Sequence, residues 1–206
     1  MKINSSRKSA LGAFTLIEMI GVLAVIAILA SLLIPKIYEA INNSRISNAA
    51  LSYNTVKTAL ADHFAKWGSL TSSNGTIITA GTGEATNFDK VLITEGFLDK
   101  PFQVKIGSGS YIQVVAGSGA ATVVAAANEA YDLDGSGTAV NDAAGSAVVE
   151  AVIPGVTGGD ALALSTLLDG PTLSGADATL IDLAGRVKYA APVGGLTTVY
   201  VYITHR

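Results

Sequence analysis

The chain has 206 residues, half of them apolar, with 13 Lys and Arg against 16 Asp and Glu and no cysteine. Beyond any membrane segment that is one domain's worth of material. The mildly acidic balance gives no basic stripe for nucleic acid, and the lack of cysteine excludes disulfides and thiolate metal sites.

Residues 1–13 carry Lys2, Arg7 and Lys8 and no acid. Residues 14–34 are then apolar except for Thr15, Glu18 and Ser31. At 1.5 Å per residue, roughly 21 helical residues make a rod of about 31 Å, enough to cross a bilayer core of about 30 Å. Basic residues flanking such a span stay cytoplasmic, which puts the C-terminal body on the far side of the membrane. A cleaved secretory signal and an uncleaved signal anchor are the competing readings. The apolar run is longer than the core of an ordinary signal peptide, and residues 31–35 offer no clear small-x-small cleavage site. Gly21, Ala24, Ala27 and Ala30 recur every third residue, either as a seam for close helix packing in lipid or as ordinary membrane-helix composition.

Glu18 is the exception within this span. An ionisable group in a membrane helix costs about 3 kcal/mol on insertion scales and therefore asks for a partner. A cut ahead of Phe14 would supply one, because the new α-ammonium would lie four residues upstream, one helical turn away.

Pro35 lacks an N–H and crowds the carbonyl four residues back, so the sequence predicts a bend or local melting there rather than a stop. Ile37, Ile41, Ile46, Ala49, Tyr53, Val56, Leu60, Phe64 and Trp67 then fall at mostly helical spacing. Gly68 and the polar cluster over 69–76 end the pattern. One helix is thus predicted from about Phe14 to Trp67, amphipathic over 36–67, with Phe64 and Trp67 as core anchors and His63 as a surface residue. A short helix follows around Phe88, Val91 and Leu92, ending at Gly96. Residues 104–106 and 111–115 read as a hairpin around Gly107 and Gly109. Residues 121–127 fit either state. Residues 160–169 read as a helix stopped by Gly170 and Pro171, and 185–190 and 197–204 as a final strand pair. In the last strand Tyr200 and Tyr202 share one face and Val199, Val201 and Ile203 the other. The fold class is α+β, with 68–206 forming a body whose antiparallel sheet packs on the distal half of the long helix.

A basic leader, a small residue, Phe14-Thr15-Leu16-Ile17-Glu18, an apolar helix and Pro35 resemble the N-terminus of type IV pilins and type II secretion pseudopilins. The short helix, then Gly96, Phe97, Leu98 and Pro101, is similar to the connection between long helix and sheet in that family. The Asp-Pro-aromatic-Gly motif of the major type II pseudopilin is absent. The family places Gly directly before the Phe, whereas Ala13 stands there and Gly12 one place back, so a cut after Ala13 and a cut after Gly12 are both open. The resemblance implies a structural subunit of a pseudopilus or pilus in the bacterial inner membrane. It would be cleaved by a prepilin peptidase at Ala13–Phe14, N-methylated on Phe14, and assembled with other copies through an inner-membrane platform. Glu18 would pair with the Phe14 ammonium. A membrane-anchored binding module is the rival reading.

Asp132, Asp134 and Ser136 alternate ahead of Gly137, like the first half of an EF-hand-type loop, where alternating oxygens surround Ca²⁺. The closing Glu is missing, and Asn141 and Asp142 remain as further oxygen donors. The competing reading is a metal-free Asp/Gly/Ser turn. The other Gly-rich pieces, at Gly81, Gly107 and Gly117, lack the strand–loop–helix context of phosphate binding and read as turns. His63 and His205 stand far apart without supporting motifs, so no catalytic set is expected.

Overall fold

The computed structural model describes residues 14–72, 75–78, 86–116, 125–126, 130–138 and 146–206. It divides into two units, Met1–Ile41 and Asn42–Arg206.

The first unit is the start of one helix, α1 (Leu16–Trp67). Every side chain from 14 to 41 is exposed except that of Ala30, which is half-buried. By length and composition this helix can cross a membrane. Its backbone stays helical through Pro35, so the proline neither ends nor unwinds it. The Ser31 carbonyl loses its helical N–H to the proline ring, and the Ser31 hydroxyl bonds back to the Ile28 carbonyl at 2.8 Å.

In the second unit α1 buries Ile46, Ala49, Tyr53, Val56, Ala59 and Leu60. These join one core with the inner face of a four-stranded sheet, and each fully buried aliphatic side chain contributes about 1.5–3 kcal/mol. After α1 come α2 (Phe88–Thr94), β1 (Tyr111–Ala116), β2 (Ala147–Thr157), α3 (Gly158–Asp169), β3 (Val187–Tyr189) and β4 (Leu196–His205). The sheet order is β1-β2-β4-β3, antiparallel at every step. The α+β class and the final strand pair agree with the sequence reading. Ile112, Val114, Val149, Ala151, Ile153, Val199, Val201 and Ile203 face α1. Tyr202 and Val148 belong to a second, smaller cluster with Tyr131.

Several expectations need correction. The apolar stripe enters the core only at Ile46, since Ile37 and Ile41 are exposed. Residues 104–106 form no strand. The Ser110 hydroxyl instead accepts the Val104 N–H and donates to the Phe102 carbonyl. The true partner of β1 is β2, with Ile112 opposite Ala151 and Val114 opposite Val149. β2 carries Pro154 and Gly155 within it. They lie at a register shift between Ile153 and Val156, where no ladder N–H is required. The Pro154 carbonyl accepts the Ser108 N–H at 2.8 Å. A Cβ on Gly107 would sit 2.4 Å from that oxygen, so only glycine lets the 107–108 turn approach.

α3 starts where the Thr157 hydroxyl accepts the Asp160 N–H at 3.2 Å, an N-cap. Asn42 ties α1 to it, donating to Asp160 Oδ1 at 2.7 Å. Gly170, with φ of 83°, ends it.

Candidate functional site

Glu18 lies in the first turn of α1. Its Oε2 accepts the Thr15 N–H at 2.8 Å and the Thr15 hydroxyl at 2.7 Å, while the Thr15 Oγ1 accepts the Glu18 N–H at 3.3 Å. That is a reciprocal capping box, legible as Thr-x-x-Glu but overlooked in favour of a remote partner. The carboxylate complements the positive end of the helix and is anchored on the amide next to Phe14. Phe14 itself is 78% exposed. Ala13 lies outside the described residues.

In the metal-loop candidate, Asp132 is buried and Asp134 exposed. Asp132 Oδ1 accepts the Ser136 N–H at 3.0 Å and Oδ2 the Gly137 N–H at 2.9 Å. Asp134 Oδ1 also accepts the Ser136 N–H, at 3.0 Å. Gly135 and Gly137 adopt φ of 72° and 84°, a backbone that glycine makes accessible. This is an Asx-braced turn in which aspartate oxygens meet backbone donors. Asn141 and Asp142 lie outside the described residues. Among the described residues no group of three or more His, Asp or Glu could hold a metal ion.

Sequence reasoning missed a buried polar cluster on the outer face of the sheet. Register places Gln113 opposite Glu150, Glu150 opposite Tyr202, and Lys188 opposite Tyr200. Glu150 and Lys188 are 2% and 0% exposed. Tyr131 covers them: its hydroxyl donates to Glu150 Oε2, and its ring lies 3.8 Å from Lys188 Nζ. Lys188 Nζ donates to the Ala130 carbonyl at 2.7 Å, and Gln113 Nε2 to Glu150 Oε1 at 2.6 Å. Burial, then the neighbouring Glu150 charge, pushes the Tyr131 hydroxyl well above its ordinary range. It therefore stays protonated as a donor. The signal for Glu150 was its place as the one charged residue in the apolar run 147–153.

His63 is not a surface residue. It is fully buried, its Nδ1 2.5 Å from Glu95 Oε2 and its Nε2 accepting the Thr71 N–H at 3.2 Å. Acceptance at Nε2 assigns the proton to Nδ1. Trp67, 37% exposed, also differs from a core anchor. It donates from Nε1 to Glu95 Oε1 at 2.5 Å, so Glu95 clamps the end of α1 to the residue after α2.

Three aspartates make a pH test. Burial raises the Asp182 carboxyl despite bonds from Ser165, Gly175 and Ala184. Asp134 is lowered by the Ser136 side chain and N–H, and Asp177 by the Thr179 N–H and hydroxyl. A raised carboxyl adds stability at low pH that is lost as pH rises through its folded pKa; the lowered pair add stability that is lost as pH falls through theirs. In one NMR titration Asp182 should reach its midpoint above the ordinary aspartate value of about 3.9, with Asp134 and Asp177 below it. An Asp182 midpoint below that value would contradict burial as its dominant influence.

Searches against protein-family models, curated proteins and solved structures found no match for this chain.

Proposed function

We propose that this chain is a structural subunit of a pilin-like filament, of the type II secretion pseudopilus or type IV pilus class. It is made in the bacterial inner membrane with its N-terminus cytoplasmic, cut ahead of Phe14 by a prepilin peptidase and methylated on the new amine. An inner-membrane assembly platform then adds it to other copies through its N-terminal helix. The observation that carries this reading is a single helix with two characters. Residues 14–34 form an apolar surface that is exposed among the described residues, with a carboxylate at its N-terminal end, while Ile46 onward is bound into a folded body. Apolar surface of that extent requires lipid or sibling helices. The capping box holds Glu18 against the Thr15 amide, one residue from the nitrogen that cleavage would make positive. In hydrocarbon, pairing offsets the several kcal/mol that a lone carboxylate costs, and so favours one axial register between neighbours.

The intact mass of protein taken from membranes tests this. Loss of residues 1–13 together with one added methyl group is the expected result. A cut after Gly12 would keep the reading with Ala13 first. An intact Met1 would favour a membrane-tethered binding module instead.

A further inference from the structure

Charge is unevenly distributed along this chain. Residues 36–105 hold seven Lys or Arg and six Asp or Glu, whereas 106–185 hold nine Asp or Glu and no Lys or Arg. Folding takes several of those acids inside, including Asp132, Glu150 and Asp182. Asp134 remains outside, on a turn whose residues 134–138 are all exposed. That turn is firmly built, braced by the Asp132 and Asp134 carboxylates and seated so that a Cβ on Gly135 would meet Leu173 Cδ2 at 2.6 Å.

Elsewhere in the second unit a groove of about 440 Å³ lies between α1 and the segment 98–105. Val56 and Phe102 form part of its lining, with Ser52 and Thr55 along the helix side and Lys100 and Lys105 on the other. Asp99 also lines it, leaving two cations to one anion. Both lysines are exposed and neither forms an ion pair among the described residues.

We propose that this groove on one copy receives the 134–138 turn of the next copy, with Lys100 and Lys105 facing Asp134. The proposal rests on the filament reading. Gly135 and Gly137 allow the turn's backbone to approach closely, and the Ser136 and Thr138 hydroxyls are paired with each other at 2.7 Å, which leaves the Asp134 charge as the turn's distinguishing group. Exposed charge pairs contribute little affinity but select partner and register. Because groove and turn are different surfaces, the contact is heterologous. It propagates from copy to copy where a self-complementary patch would stop at a dimer.

Absence of cysteine makes the test clean, since introduced thiols are the only ones present. Two full-length chains, one carrying Lys105→Cys and the other Ser136→Cys, are co-expressed in membranes and oxidised. A disulfide-linked dimer should form when both are present and not when either is alone. A dimer from one substituted chain alone overturns the proposal, as does no dimer while sedimentable polymer forms. If the unsubstituted chain forms no polymer, the filament reading fails and this contact falls with it. As a second arm, Asp134→Lys should reduce polymer several-fold, and adding Lys100→Glu and Lys105→Glu to the same chain should restore it. No restoration in a chain that melts like the unsubstituted protein also overturns the contact.

Discussion

If the chain is the filament subunit proposed above, Glu18→Ala should be cut ahead of Phe14 like the unsubstituted chain and remain in the membrane, yet yield little sedimentable polymer. Two effects are lost together in that variant, and their sizes differ. The capping bonds to Thr15 are worth about 0.5–2 kcal/mol of helix stability. A charge pair formed in hydrocarbon offsets a desolvation cost of several kcal/mol. Each 1.4 kcal/mol is about tenfold in an association constant, so loss of the pair should lower polymer by about a hundredfold or more. Glu18→Gln separates the two effects. Glutamine keeps the capping box but carries no charge, so the proposed pairing requires this variant to fail nearly as badly as alanine. Abundant polymer from Glu18→Gln would mean that Glu18 serves only to begin the helix.

Tyr131→Ala should be strongly destabilising to the folded body. The ring is fully buried, packs on Tyr202 at 5.2 Å between centroids, and covers Lys188 while its hydroxyl serves Glu150. Truncating a buried aromatic costs about 3–5 kcal/mol, against a total stability of about 5–15 kcal/mol for a typical domain. Tyr131→Phe keeps the ring and removes the hydroxyl that donates to Glu150, at about 1–3 kcal/mol. Denaturant melts of the full chain in detergent would rank the pair. Equal losses would mean that the hydroxyl, not the ring, holds this region down. A negligible loss in both would remove the cluster from the account of stability.

The long helix was legible because its signals are local: an apolar run broken only by Thr15, Glu18 and Ser31, then a helical period ending at Gly68. The last strand was legible because Val199, Val201 and Ile203 alternate with tyrosines. β2 was not, since its identity depends on pairing with β1 and β4, which a bulge at Pro154 makes compatible with proline. His63 was misplaced for a similar reason. Its burial is made acceptable by Glu95 and Thr71, at separations of 32 and 8 residues, and no period or spacing announces such partners. Burial of Lys188 likewise depends on residues distant in sequence, Ala130 and Tyr131. The Thr15–Glu18 box is written in the sequence as Thr-x-x-Glu, a local signal that coincides with the charge inside the apolar run.

Sheet order also has a consequence for when the body can form. The apolar face of α1 is made before every strand of the sheet, but β4, which supplies Val199, Val201 and Ile203 to cover it, follows the other three, and β2 pairs with β4 across some fifty residues. Contacts that close such long loops form late. During synthesis this face of the helix must therefore wait, uncovered, until β4 has been made, and over that interval it is most open to capture by chaperones or to mispairing with another nascent chain.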